Sequence, residues 1–200
     1  PRLYDVTQGE VLVDGVNVKD YDIETLRNKV GIVMQKAVLF KGTIRENMWM
    51  GKKGATDEQI DEALEISQSK EFVDSKQGRL DYVIEQGGKN LSGGQRQRLT
   101  IARAIVRKPD VLILDDSASA LDFATDAALR KAIRGMNNSP TVFIVSQRAA
   151  SLMYADLIIV LDDGQVAGMG THDELLANCE VYKEIYESQF KKADSEGGVA

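Results

Sequence analysis

Several things are scarce in this sequence, and each absence removes a class of protein. Among its 200 residues there is one cysteine, Cys179, so no intrachain disulfide can form and a reducing compartment fits. No apolar run approaches the length of a bilayer span, and no secretory signal is visible. Positive charge is also short. The formal net charge of -6 argues against general nucleic-acid binding, which draws most of its affinity from phosphate neutralisation by Lys and Arg. Any phosphate ligand must therefore be held locally. The first residue is Pro1 rather than a methionine, which reads as a processed chain or a piece of a longer one, and is taken here as a piece.

What is present suits a soluble domain. Hydrophobic residues make up 43 % and charged residues 28 %, ordinary values that indicate neither disorder nor a membrane-embedded body. A globular chain of this length buries about 70 % of the surface its unfolded form exposes, so one real core is possible.

The apolar pattern then divides the chain. "GEVLVDGVNV" puts Asp14-Gly15 between two alternating stretches and predicts a hairpin; "YDIETLRNK" predicts a short helix and "KVGIVMQ" a strand ending near Gln35. From Thr56 a helical insertion begins, marked by the capping-box pair Thr56 and Gln59 and by Ile60, Ala63 and Leu64 at helical spacing. It continues to "LSGGQRQRLTIARAIVRKPD", where Leu99, Ala102 and Val106 share a face and Pro109 forbids much extension. "DFATDAALRKAIRGM" follows as a helix with Ala128, Leu129 and Ile133 as candidates for its buried side, and "TVFIVSQ" as a central strand. A strand, helix and strand in this order predict a parallel crossover. A closing hairpin turns at Asp163-Gly164, a last helix opens on the capping box of Thr171 and Glu174, and "KKADSEGGVA" has the composition of a disordered end.

Two stretches carry chemistry. "LILDDSASALD" ends a buried-strand pattern in Asp115 and Asp116, and ligands of open α/β sheets gather at the carboxyl ends of such strands. The same acids in a solvated loop could merely cap the next helix. "LSGGQ", Leu91 to Gln95, joins two bare glycines and a Ser92 hydroxyl to the positive end of a helix, the makings of a phosphate site. Alone, it also reads as an ordinary Ser-capped helix behind a flexible glycine pair.

Taken together, these stretches resemble the nucleotide-binding domain of ATP-binding cassette (ABC) transporters over nearly the whole chain. "GIVMQKAVLFKGTIRENM" is similar to the family's Q-loop region, "LSGGQRQRLTIARAI" to its signature motif and helix, "VLILDDSASALD" to its Walker B strand and D-loop, and "VFIVSQR" to its switch-loop strand. "LFKGTIRENM" and "GTHDELL" are most similar to exporters. The resemblance implies an α/β fold with a RecA-like P-loop NTPase core, a mostly parallel sheet and an inserted helical subdomain at about 47–107. It also implies a partial nucleotide-binding domain over 1–190, with a disordered tail at 191–200.

The resemblance further implies ATP and Mg²⁺ as ligands. Gln35 would sense Mg²⁺ and the γ-phosphate, and Asp115 would hold the metal, a fitting task for a hard carboxylate. Ser92, Gly93, Gly94 and Gln95 would bind the nucleotide held by a partner domain, with Ser92, Gly94 and Gln95 facing its γ-phosphate. Ser119 and Asp122 would form the D-loop, which crosses between the two sites of a dimer. His172 sits inside a capping box and reads as structural.

Three departures qualify the match. The Walker A pattern G-x-x-x-x-G-K-[ST] occurs nowhere, and "PRLYDVTQGE" resembles the stretch after the Walker A helix; the loop is expected upstream of Pro1, behind a transmembrane domain. Asp116 stands where the family has the glutamate that polarises the attacking water. One methylene withdraws its carboxylate by roughly 1.5 Å, and a misplacement of about 1 Å can cost on the order of 100-fold in rate. Gln147 replaces the switch-loop histidine, keeping hydrogen bonding but not the proton. Asp116 and Gln147 belong to one nucleotide site, as catalytic positions, whereas the LSGGQ that serves the opposite site is intact.

The expectation is thus one half of a heterodimeric ABC exporter on the cytoplasmic face of the membrane, with its own site degenerate and its signature completing the partner's. Its partners would be a second nucleotide-binding domain and the transporter's transmembrane domain, with no nucleic acid. By itself this stretch would be an inactive ATPase fragment. Two alternatives stand beside it: a non-hydrolysing regulatory nucleotide-binding module and a soluble, non-transport ABC protein.

Overall fold

The computed structural model describes residues 1–117 and 119–196. The chain divides into two compact units, Pro1–Val145 and a second that begins at Ser146.

The first unit opens with a hairpin, β1 (Leu12–Val13) and β2 (Val16–Asn17), paired antiparallel. Its turn residues Asp14 and Gly15 take φ of 51° and 76°, the left-handed pair that a two-residue hairpin demands and that Asp-Gly supplies. Asp22 caps α1 (Ile23–Lys29) by accepting from the Thr25 N–H, and the chain passes straight into β3 (Val30–Val33). Lys29 at the end of α1 pairs with Asp14 of the hairpin turn and with Asp110, which precedes the next sheet strand.

The intervening stretch carries short helices joined by turns. It contains β4 (Gly42–Thr43), α2 (Ile44–Trp49), α3 (Asp57–Ile66) and α4 (Lys70–Asp74), then β5 (Val83–Ile84), which pairs antiparallel with β4. The capping box of Thr56 and Gln59 forms at the start of α3, and Ile60, Ala63 and Leu64 are its buried residues. Arg45 of α2 reaches Asp57 and Asp81, and Arg79 reaches Asp61 and Asp74. These half-exposed pairs fix orientation more than they stabilise.

Next comes α5 (Gly93–Ile105), whose Leu99, Ile101, Ala102 and Ile105 lie in the main core. After Pro109 the chain forms β6 (Val111–Asp115), α6 (Phe123–Arg134) and β7 (Thr141–Val145). The sheet order is β3-β6-β7, all parallel, with Ile32 opposite Ile113 and Ile113 opposite Phe143. One sheet face sends Val33, Leu112 and Leu114 into the main core against α5, each worth about 1.5–3 kcal/mol as a buried aliphatic side chain. On the other face Ile32, Val111 and Ile113 pack on a smaller cluster of Val18, Leu26 and Val30.

Two details of this unit differ from the sequence pattern. The "TVFIVSQ" run implies a central strand, yet among the described residues β7 pairs only with β6, and Phe143 and Val145 are each 55 % exposed. In α6, Leu129 and Ile133 are buried as expected, but the third buried residue is Asp126 rather than Ala128. An (i, i+4) pair at 3.0 Å with Arg130 offsets its charge, a partner the apolar periodicity could not announce.

The second unit contains α7 (Ala149–Leu152) and the hairpin β8 (Ile158–Asp162) and β9 (Gln165–Gly170), turned at Asp163 and Gly164 with φ of 45° and 76°. α8 (His172–Asn178) starts in the Thr171–Glu174 capping box, and α9 (Glu180–Glu196) follows. Ile158, Val160, Leu175, Cys179 and Tyr182 make its core. Of the segment expected as a disordered end, 191–196 belong to α9 and 197–200 lie outside the described residues. Among the described residues no helix is long and apolar enough to cross a membrane.

Candidate functional site

The parallel register of β3 and β6 delivers two chain segments, 81 residues apart, to the same sheet edge. Val33 lies opposite Leu114, so Gln35 and Asp116 emerge side by side, and Gln35 Nε2 donates to Asp116 Oδ2 at 3.1 Å. The Asp116 backbone is held just as closely. Its N–H donates to the Val145 carbonyl at 2.9 Å, and its own carbonyl accepts from the Ser119 N–H at 3.3 Å and the Ser119 hydroxyl at 2.9 Å. Asp116 has a φ of 42°, a conformation that Asp tolerates better than most side chains and that stores strain at ligand-binding loops.

Asp115 is the last residue of β6 and is half-buried. Among the described residues, its carboxylate accepts no hydrogen bond and forms no ion pair. Gln35, spending only Nε2 on Asp116, keeps its Oε1 as an acceptor. The described residues contain no group of three or more His, Cys, Asp or Glu that could hold a metal ion. Mg²⁺ does not need one: it takes one or two carboxylates together with waters and substrate phosphate oxygens. An unpartnered carboxylate at the end of β6, with the Gln35 carboxamide just past the end of the neighbouring strand, suits that ion's preference for hard oxygen ligands.

The LSGGQ stretch is assembled locally. Leu91 is buried, and Ser92 becomes the N-cap of α5 through a reciprocal capping box. The Gln95 N–H donates to Ser92 Oγ at 3.2 Å, and the Ser92 N–H donates to Gln95 Oε1 at 3.1 Å. The amides of Gly93 and Gly94 fall in the first helical turn, where no intrahelical carbonyl reaches them; Gly93 is exposed, and Gly94 is half-buried beside Ala120 and Leu121. Arg96 folds backward, donating from Nη1 to the Leu91 carbonyl at 2.6 Å, and so braces the segment entering the helix.

Asp122 caps α6, accepting from the Thr125 N–H at 2.9 Å and from its hydroxyl at 2.7 Å. The Thr125 backbone N–H, followed by its hydroxyl, holds the Asp122 carboxyl below the usual carboxylate range. Asp122 is thus the residue that caps α6, whereas Asp115 and Asp116, for which helix capping is the alternative reading of the sequence, sit at the strand end.

The structure adds residues that no motif announces. Arg103 of α5 donates from Nη2 to the Val38 carbonyl at 2.9 Å and lies over the Phe40 ring, tying the signature helix to the segment that follows Gln35. Burial pulls its pKa below the ordinary arginine value. In the second unit, the side chain of Gln147 is exposed, and its carbonyl accepts from Gln189 Nε2 at 2.6 Å, while Gln189 Oε1 accepts the Ala149 N–H at 2.9 Å. Gln189 lies 42 residues downstream on α9, beyond the reach of any local pattern. His172 Nδ1 lies 2.8 Å from the Tyr182 hydroxyl, and its ring centre lies 5.2 Å from that of Tyr186 with the two planes tilted by 55°.

A parallel sheet with an acid pair at its carboxyl edge, a helical stretch between its strands and a glycine-bared helix start has the architecture of the RecA-like P-loop NTPases. The comparisons narrow this to one family. The family model described as "ABC transporter" matches residues 2–119, and the chain belongs to that family. It is 44 % identical over 196 residues to the uncharacterized ABC transporter ATP-binding protein YfiB of Bacillus subtilis, covering 98 % of this chain and 34 % of the relative. It is 43 % identical over 201 residues to an uncharacterized ABC transporter ATP-binding protein of Mycobacterium tuberculosis, covering 99 % and 34 %. Among solved structures it is similar to a bacterial Atm1-family ABC exporter with ATP bound, with a TM-score of 0.89, 33 % identity, and coverage of 94 % of this chain and 33 % of that one. The chain thus spans about a third of the length of the relatives it matches.

Proposed function

We propose that this chain is ATP-binding and ATP-hydrolysing machinery of an ABC exporter, acting at the cytoplasmic face of a membrane through a transmembrane domain of the same transporter. It pairs head to tail with a second nucleotide-binding domain in a heterodimer. Its own site is degenerate, and its LSGGQ completes the partner's site. The likeness to an exporter solved with ATP supports the nucleotide and the direction of transport.

In this reading Asp115 and the Oε1 of Gln35 hold Mg²⁺, which when bound neutralises charge on the β- and γ-phosphates. Asp116 would receive a hydrogen bond from the water that attacks the γ-phosphorus, orienting it in line as the bond to the ADP oxygen breaks and the water's proton passes to an oxygen of the departing phosphate. The observation that carries the degenerate-site reading is the Gln35–Asp116 hydrogen bond: a carboxylate already one methylene short has one oxygen spent on a carboxamide. Gln147 contributes a hydrogen-bonding side chain without a titratable proton. Across the dimer, the amides of Gly93 and Gly94 and the Ser92 hydroxyl meet the partner's γ-phosphate.

The test combines Asp116→Glu with Gln147→His in the full-length transporter while the partner's own catalytic residue is disabled. Turnover should rise by about tenfold or more, because a water-positioning carboxylate and a protonatable phosphate contact are restored together. Unchanged turnover would mean that these two positions do not limit the site.

A further inference from the structure

The two glycines of LSGGQ are consecutive, both helical, and neither has a positive φ, so conformational freedom does not explain them. Their surroundings differ. A Cβ built on Gly93 would have only the end of the Arg96 side chain near it, Nη2 at 3.9 Å. A Cβ on Gly94 would lie 3.3 Å from the Ala120 carbonyl oxygen and 3.8 Å from Leu121 Cδ2. Gly94 is therefore the point where α5 rests against the backbone of the loop that follows Asp116.

That loop is anchored at both ends. On one side the Ser119 N–H and hydroxyl both donate to the Asp116 carbonyl, and the Asp116 side chain accepts from Gln35. On the other, Asp122 is locked as the cap of α6. One helical turn beyond Gly94, the half-buried Arg98 guanidinium lies within the field of Asp122. A backbone fastened in this way has little room to retreat from an added methyl.

We infer that Gly94 is a positioning residue, the seat that fixes where the loop after Asp116 rests against the start of α5, whereas Gly93 serves only the open face of the first turn. The two ends of the chain's chemistry, the strand-edge acids and the signature, are then coupled inside one polypeptide. This rests on the functional reading above and assigns its two glycines separate tasks.

The experiment compares Gly93→Ala with Gly94→Ala in the full-length transporter. Amide hydrogen exchange is followed at Asp116 and Ser119, with thermal melting alongside. Alanine is the better helix former, so Gly93→Ala should raise the melting temperature and leave both amides unchanged. Gly94→Ala should forgo that gain and speed exchange at Ser119 by about tenfold, because overpacking against a fixed carbonyl opens the loop locally. In the full-length transporter Gly94→Ala should lower kcat by about tenfold with KM for MgATP within about twofold, the signature of lost geometry rather than lost binding. Equal exchange behaviour in the two variants overturns the inference whatever the activity. Selective exchange at Ser119 with unchanged kcat overturns it too, because the contact would not reach the site. An unsubstituted transporter that hydrolyses no ATP would instead sink the functional reading and leave the exchange result standing.

Discussion

The two chemically charged ends of the first unit are built by opposite means. At the start of α5 everything is local: Ser92 and Gln95 satisfy each other across three residues, and the glycines between them are bare by composition. At the sheet edge nothing is local. Gln35 meets Asp116 across 81 residues, and only the parallel pairing of β3 with β6 brings them together. A locally built site survives damage elsewhere, whereas one built by register inherits every weakness of the sheet and core beneath it.

The largest break in this comparison should come from the core under the sheet. Leu112 is fully buried on β6, so Leu112→Ala should cost about 2–5 kcal/mol in chemical denaturation, by lost transfer energy and the cavity left behind. Exchange at the Asp116 amide should rise sharply, and exchange at the Gln95 amide much less. Equal loosening at both would mean that the start of α5 is not held by its own capping box. A smaller, converse effect is expected from Ser92→Ala. It should cost about 1 kcal/mol by removing one half of the capping box, and it should expose the Gln95 amide while the Asp116 amide keeps its protection.

The same contrast explains what could be read from residue order. Whatever is written within a few residues was legible: the Asp14-Gly15 and Asp163-Gly164 turns, the Thr56, Ser92 and Thr171 caps, and the buried face of α5 all form where their patterns lie. The strand-end position of Asp115 and Asp116 was also legible, because a buried apolar run has few other ways to end in two acids. The partners were not. No spacing rule connects Gln35 to Asp116, Arg103 to Val38, or Gln189 to Gln147, since each pair is created by tertiary packing rather than by helical or strand period. Asp126 failed for the same reason: an acid on a buried face is tolerable only with a partner, and the partner was visible only once the helix existed.

The central claim is that the intact signature of this chain works on the opposite nucleotide site and not on its own. The most direct measurement is Ser92→Arg in the assembled full-length transporter, with steady-state ATPase activity followed beside nucleotide binding at each site. The substitution puts a bulky cation where the partner's γ-phosphate must dock and prevents that composite site from closing. Because phosphoryl transfer depends largely on positioning and charge stabilisation, most turnover should vanish. Nucleotide binding at this chain's own site should survive, since Asp115 and Gln35 are untouched. Activity that persists near the unsubstituted level would contradict the assignment of Leu91 to Gln95 to the partner's site, and with it the reading of this chain as the half that completes its partner.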